Sequence, residues 1–514
     1  ASLRALLAAY DLDAGDTIYV DPGTYTMPRN IRIGAADSGV TIQGPAQAGH
    51  EAVLDRANTA ASSRTVELDD ADDVTLANLT MTGGYYGVYA GNDSDALTVS
   101  ACRVQGNARD GLYAPAGSDD ATVADSEAHD NASAGLHVDG DRAVLVGNTL
   151  HDNGSQGIVT AALEALVQGN AAYANASVGV HVTGVGSTVQ GNTAFHNDSQ
   201  GIYASGDVRV AGNHSYGHSD TYGIYVASGA HAVGNVVHDN DTGLGASYGA
   251  VLADNRSYRN VTNGLWLNYD SDATGNVVYG NSVGIRGSSS FYGLLENNLV
   301  YGNANRGIDL YSANGPVLRN NTVYQPIGDA VRIENGSAGV VLRNNLLSVA
   351  GGFALVVDGT SLDGLDSDYN SFHVTGAGRL GEWDARAFDA LDAWTWHVGQ
   401  DAHSWMGDPQ FADPDGADDV LGSSAEAIGA AAYIDDGDAG FAATGTWATE
   451  TGGLNGDHQA ADGADAAANW TFPALVPGAT YQVAVTWPDP GDECWAARYE
   501  VFDDATRVGA RTYD

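Results

Sequence analysis

A chain of 514 residues is longer than one ordinary hydrophobic core sustains, which points to several domains or to a repeat array whose core lengthens without widening. Its 65 acidic residues stand against 21 basic ones, all arginine, for a net charge of −44; such a surface repels nucleic acid and anionic membranes and excludes both as partners. With 67 glycines, 54 aspartates and only 11 glutamates, the composition predicts many turns and few helices.

The two cysteines, Cys102 and Cys494, have no metal-ligand or redox spacing, and Cys102 lies in an alternating apolar stretch that reads as core. No transmembrane run and no signal peptide is seen, and the chain opens on an amphipathic segment, Ser2 to Tyr10. Gly15-Asp16-Thr17-Ile18-Tyr19-Val20 and Pro22-Gly23-Thr24-Tyr25 follow.

Two columns then hold one period. The second residues of Gly-Asn or Asn-Asn pairs are Asn107, Asn148, Asn170, Asn192, Asn213, Asn235, Asn276, Asn298, Asn321 and Asn345, with Asn255 filling the gap; from Asn148 the steps are 22, 22, 21, 22, 20, 21, 22, 23 and 24. The second column is Gly87, Gly111, Gly135, Gly157, Gly179, Gly201, Gly223, Gly243, Gly264, Gly284 and Gly307, nearly all before Val, Ile or Leu. A coil of this length holds three short strands and three turns but no helix. One coil cannot bury its own apolar residues, so coils stack about 4.8 Å apart around a shared core. The Asn column is expected to hydrogen-bond along the axis, and the glycines to supply left-handed turn conformations. The fold class read from this period is all-β: a right-handed single-stranded parallel β-helix over 1–432, then a partial β-sandwich over 433–514.

These units, G-N-x-x-Y/H-x-N followed by G-I/L-x-V, resemble the repeats of the pectate-lyase-like superfamily. The resemblance implies that residues 15–25 form the first coil and that Ser2 to Tyr10 is a helix capping the core. It is specific for fold and weak for activity, because this fold hosts lyases, hydrolases, epimerases and non-enzymes. Asp368-Tyr369-Asn370-Ser371-Phe372 and Gly407-Asp408-Pro409-Gln410-Phe411 resemble closing coils. Between them Trp383, Trp394, Trp396 and Trp405 either plug the core or form a sugar platform. From Tyr433 the alternating segments around Trp447, Trp470 and Pro477 to Val483 resemble golvesin C-terminal-like modules, here incomplete, which implies a carbohydrate-binding sandwich.

In a strand Gly-Ile-x-Val, Ile and Val point inward and x outward. Collecting x gives one row: Tyr89, Tyr113, His137, Val159, His181, Tyr203, Tyr225, Gly245, Trp266, Arg286, Asp309 and Arg332. Aromatic faces stack on sugar rings and arginine pairs with carboxylates, so Tyr113, His137, Trp266, Arg286, Asp309 and Arg332 are candidate substrate contacts. The consecutive His181, Tyr203 and Tyr225 are candidate catalytic residues for a uronate lyase or C5-epimerase, which needs a base, an acid and a cation at the carboxylate. Stacked side chains that merely stabilise the sheet are the competing reading. A second aromatic column, His129, His151, Tyr173, Phe195, Tyr216, His238, Tyr258, Tyr279, Tyr301 and Tyr324, is more regular and is read as packing.

The Asp-Pro-His set of mannuronan epimerases, any catalytic lysine and the galacturonase motifs are absent. A non-catalytic cell-surface or adhesion rod is therefore the alternative, and a glycoside hydrolase using Asp309 and Asp329 the second. No cofactor is expected; calcium is possible at Asp93 and Asp95, Asp270 and Asp272, or Asp413, Asp415, Asp418 and Asp419. The expected partner is a polysaccharide, acidic in the leading reading, met by a monomer outside the cell or at its surface.

Overall fold

One coil shows how the sequence builds the fold. Val144–Val146, Thr149–His151 and Ile158–Thr160 are three short strands. Leu145 and Leu150, at the centres of the first two, point inward; in the third the ends, Ile158 and Thr160, point inward and Val159 outward. Gly147 turns the chain between the first two strands at φ +67, and Asp152 at φ +53 opens the longer turn to the third. Each strand pairs in parallel with its counterpart one coil on: Val144 with Leu166, Thr149 with Ala171 and Ile158 with Val180.

In the computed structural model this pattern repeats as a right-handed parallel β-helix. The structure describes residues 3–10 and 12–411, and the strands of 441–513. Sheet A has 16 strands from Thr17–Tyr19 to Asp366–Asp368. Sheet B runs from Gly23–Thr26 to Trp405–Met406. Sheet C runs from Ile31–Gly34 to Arg379–Trp383, where the antiparallel Arg386–Phe388 ends the ladder. A single hydrophobic cluster continues from Leu7 to Trp394. Fixing one residue's backbone costs roughly 1–2 kcal/mol, whereas a buried aliphatic contributes about 1.5–3 kcal/mol, so a coil with a handful of buried side chains is stable only in the stack.

Two amide ladders line the interior. In the first, Asn148 donates its backbone N–H and Nδ2 to Oδ1 of Asn170 at 2.9 and 3.0 Å, and the pattern continues coil by coil to Asn370. Nδ2 also donates to a strand carbonyl, Val123 O at 2.8 Å, so each amide is fully used. Asn107 does not belong to this ladder: it donates to Oδ1 of Asn131 and begins a second one, through Asn153, Asn175 and Asn197 and, after His218, Asn240, Asn260, Asn281, Asn303 and Gln325.

The glycines also separate into two kinds. Those preceding the ladder asparagines, such as Gly147, Gly169 and Gly191, have φ of +61 to +67, the left-handed region. The column from Gly87 to Gly307, expected to serve the same purpose, is not left-handed. It is needed for close approach: a Cβ on Gly179 would lie 2.7 Å from Asn197 Nδ2 and 2.7 Å from Gly201 O.

The ends are closed differently. Helix α1, Leu3–Ala9, sets Leu7 on the first coil. Helix α2, Leu391–Val398, places Trp394 over the last. Trp394 is buried with Trp383 and Phe388 edge-on, and its indole donates to Asp401 Oδ2 at 2.9 Å. Trp396 and Trp405 take no part in the plug, being 92% and 51% exposed. The second aromatic column is a packing ladder: from His129 to Tyr301 successive rings stack 4.7–5.2 Å apart and within 18° of parallel.

The chain divides into two compact units, Ala1–Gly422 and Ser423–Asp514. In the second, Phe441–Thr444 pairs with Ala467–Trp470, Trp447–Thr451 with Asp457–Ala461, and Ala497–Asp503 with Thr506–Tyr513, all antiparallel. Cys494, Pro477 to Val483 and Asp413 to Asp419 lie outside the described residues.

Candidate functional site

The row expected on one face is a continuous register line of sheet C. Tyr89 pairs with Tyr113, then His137, Val159, His181, Tyr203, Tyr225, Gly245, Trp266, Arg286, Asp309 and Arg332, each with the next. The pleat forces this, because the flanking aliphatics must face the core. The row contains three stations of different chemistry.

The first is charged. Tyr86 stacks on Tyr113 with centroids 5.4 Å apart, and the Tyr113 ring is 4.6 Å from His137. His137 Nε2 lies 2.9 Å from Asp139 Oδ2, and its Nδ1 3.7 Å from Asp110 Oδ2. Burial disfavours the imidazolium, but the bonds and charges of Asp110 and Asp139 outweigh it and push the His137 pKa up to about 9. Asp110 is enclosed, and its pKa is lowered: burial opposes its charge, but nearby His137 and Ser133 and the Ala134 N–H, which donates to Oδ1 at 3.0 Å, overcome it. Arg109 Nε is 3.6 Å from Asp110, and its guanidinium lies 5.6 Å from the Tyr86 centroid; Arg64 lies over Tyr89 at 4.2 Å.

The second station is aromatic. His181 meets Tyr203 edge-on at 4.7 Å, and Tyr203 stacks on Tyr225 at 5.8 Å. Tyr222 packs on Tyr225 at 5.0 Å and reaches Trp266 at 5.7 Å, filling the space over Gly245, where a Cβ would fall 2.7 Å from the Tyr222 ring. Tyr225 Oη is 2.6 Å from Ser247 Oγ. Burial alone pulls the His181 pKa down, so the two imidazoles of the row are shifted in opposite directions. No ion pair joins His181, Tyr203 or Tyr225 among the described residues.

The third station is an ion network. Asp309, expected on the exposed face, is wholly enclosed; Arg306 Nη1 donates to its Oδ1 at 2.8 Å, and Arg286 Nη1 is 3.5 Å from Oδ2. Burial raises its pKa despite both arginines. Arg332 is bonded to Asp329 at 2.9 Å and Glu334 at 2.6 Å, so its expected role of holding an external carboxylate is already filled from within.

Sequence reasoning overlooked Tyr86, Arg109, Asp110, Tyr222, Arg306 and Glu334. Four of these carry a signal: Tyr86, Asp110, Tyr222 and Arg306 each directly precede a glycine of the close-approach column, which places them beside the row. Of the calcium candidates, Asp413 to Asp419 lie outside the described residues, and of the others Asp95 and Asp272 are engaged within the fold. Asp95 Oδ1 accepts from Asp119 N at 2.7 Å and Asp272 Oδ1 from Leu294 N at 2.8 Å. No three His, Cys, Asp or Glu side chains form a metal-holding group among the described residues. Cys102 is buried, which pushes its thiol up to about 11. No helix among the described residues is long and apolar enough to cross a membrane.

Residues 47–194 match the family model described as right handed beta helix region, and residues 208–363 the model described as periplasmic copper-binding protein (NosD). The sequence matches no curated protein. Among solved structures, the chain is similar to the A-module of Azotobacter vinelandii mannuronan C-5 epimerase AlgE6, at 16% identity over 79% of this chain and 95% of that one, with a TM-score of 0.32. It is also similar to pectate lyase Pel9A (15% identity, 58% and 70% covered, TM-score 0.27). A third is the tailspike of E. coli bacteriophage HK620 in complex with a hexasaccharide (10% identity, 77% and 72% covered, TM-score 0.38).

Proposed function

We propose that the protein acts on a polysaccharide laid along the outward row of sheet C, outside the cell or at its surface, and that the chemistry is that of a uronate lyase or C5-epimerase. The observation that carries this reading is the edge-on contact of His181 with Tyr203, 4.7 Å apart on adjacent coils of the row. His181, whose pKa burial pulls down toward the neutral form, is able to accept the proton at C5 of a uronate, and the Tyr203 hydroxyl, on the adjacent coil, to donate one. Exposed Arg109 binds the carboxylate of a neighbouring sugar, while Tyr225, Tyr222 and Trp266 form its stacking surface. No arginine of the row adjoins His181, whose row neighbours are Val159 and Tyr203, so in this reading the reacting carboxylate is neutralised by a cation from solution, which makes calcium dependence an expected property. The unit after Gly422 aids attachment in this reading.

The open face favours one rival. Two shallow depressions lie off the row: one of about 350 Å³ is lined by Asp270, Asp272, Tyr292 and Leu294, and one of about 590 Å³ by Leu391, Trp396, Asp401 and Ser404. A row of solvent-facing side chains along one sheet also suits a binding rod that performs no chemistry. The hydrolase alternative loses support, since Asp309 is enclosed. Copper, named in the second family description, finds no converging set of three donors among the described residues, so a centre of that kind does not fit.

The test is incubation with a panel of acidic and neutral polysaccharides. Unsaturated uronates, read by ultraviolet absorbance, report a lyase, and altered uronate composition an epimerase. His181→Ala and Tyr203→Phe should abolish turnover with the melting temperature nearly unchanged. Retention of polysaccharide without turnover in the wild type supports the rod, and loss of folding in both variants would show the row to be packing.

A further inference from the structure

In several coils the residue that directly follows a strand of sheet C adopts a left-handed backbone. Asp70, Asn92, Ser228, Ser289, Ser312 and Asn335 take this position, small polar residues with φ of +53 to +58. In two successive coils it is tyrosine instead: Tyr248 at φ +56 and Tyr269 at φ +52. A bulky side chain is an outlier in this region, and serine or asparagine makes the same turn elsewhere in the chain at lower strain. Burial does not offset the strain, since Tyr248 is 57% exposed and Tyr269 only half-buried. The two rings stack with centroids 4.5 Å apart and 18° from parallel. A strained aromatic pair held out toward solvent is the kind of backbone outlier from which a binding surface is inferred.

The next coil extends that surface. The N–H of Tyr292 donates to Tyr269 O at 2.7 Å, and the Tyr292 side chain is 50% exposed. Tyr292 lines the depression of about 350 Å³ together with Asp270, Asp272 and Arg319, a volume at the lower end of the ~300–1,000 Å³ of small-ligand clefts. The charged groups there differ in what they have left to offer. Arg319 is held by Glu296 Oε1 at 2.6 Å. Asp272 accepts from the Leu294 N–H through Oδ1 at 2.8 Å. Exposed Asp270 has neither a hydrogen bond nor an ion pair among the described residues. The cleft therefore presents carboxylate acceptors and aromatic rings, and its arginine is already neutralised. The C–H face of a neutral pyranose packs on such rings while its hydroxyls donate to such carboxylates. A uronate would meet uncompensated like charge at Asp270.

We propose that Tyr248, Tyr269, Tyr292 and Asp270 form a second glycan site, on the edge between sheets C and A, that takes a neutral pyranose unit. It lies on a different edge of the coil from the outward row and stands independently of the uronate chemistry proposed there.

The experiment is calorimetric titration of the full chain with cellohexaose, mannohexaose and maltohexaose, and separately with the hexamer of mannuronate. The double variant Tyr248→Ser with Tyr269→Ser installs the residue that the same turn uses in other coils, so its melting temperature should equal or exceed that of the wild type. The expected result is binding of a neutral hexaose that weakens about 10-fold or more in the double variant, with the affinity for the acidic hexamer unchanged. Asp270→Asn, at an exposed carboxylate without a protein partner, should weaken the neutral hexaose about 10-fold at an unchanged melting temperature. Trp266→Ala, on the row, should leave neutral-hexaose affinity as it is. Binding of none of the neutral hexaoses by the wild type, or wild-type affinity in both site variants, overturns the site. Loss in W266A alone does the same by placing neutral sugars on the row. A lowered melting temperature in the double variant would show the tyrosine pair to be packing and equally overturn it.

Discussion

Replacing His218 by asparagine should remove part of the protein's sensitivity to acid. His218 occupies the place of an amide in the second ladder, between Asn197 and Asn240, and is fully enclosed. Burial pushes its pKa down to about 4; the carbonyls of Asn197 and Ala194 pull upward and nearby His196 adds to the depression. In the unfolded chain the same imidazole titrates at about 6.5. Between those values the unfolded state binds a proton that the folded state refuses. The neutral form's contribution is therefore complete above about pH 6.5 and lost as pH falls to about 4. A difference of about 2.5 pKa units corresponds to about 3 kcal/mol, of which about 2 kcal/mol is lost by pH 5. In His218→Asn the new Nδ2 takes over the bond toward Ala194 O and rejoins the ladder to Asn240. Burial also depresses His214, down to about 4, and His181, so the variant keeps some acid sensitivity. Urea unfolding followed by circular dichroism at pH 7.5 and pH 5 measures the effect. The stability of H218N relative to wild type should rise by about 2 kcal/mol on acidification. A difference that is the same at both pH values would refute the reasoning.

Two further outcomes follow from the interior. Asn213→Ala removes four hydrogen bonds, two donated by Nδ2 to Val189 O and Asn235 Oδ1 and two accepted by Oδ1 from Asn192, and strands buried partners. At about 1–3 kcal/mol per unsatisfied group, the loss should be about 3–5 kcal/mol in urea unfolding, and an effect no larger than that of an exposed substitution would overturn the ladder's role. Gly179→Ala should be far more damaging than Gly169→Ala. The first Cβ collides at 2.7 Å with an amide and a carbonyl, while the second meets open space and costs only about 1–2 kcal/mol for its φ of +64; comparable melting temperatures would contradict the distinction.

The sequence alone determined the fold and the position of the outward row. Both depend on one chain-local fact, the recurrence of the same residue type at steps near 22, and a strict two-residue pleat then assigns each strand side chain to core or surface. The regular aromatic column could be read as packing for the same reason. The motif G-N-x-x-Y/H-x-N also contains the second ladder's asparagine, but nothing local places Asn107 in that ladder rather than the first. Tertiary structure decided whatever depends on neighbours a coil away. Only the stacked chain adds Asp110 of the preceding coil to the neighbouring Asp139 against His137 while leaving His181 beside Tyr203, and so separates two histidines of the same row. Only the stack brings Arg286 of the preceding coil against Asp309 and Arg306 against Glu334 of the next, completing an ion network whose other pairs lie within one strand. The Gly87 to Gly307 column reveals its purpose in the same way, because the carbonyl that a Cβ would strike belongs to the next coil. Charge state and steric clearance are properties of distances between coils, and those distances are set by packing rather than by the residues on either side in the chain.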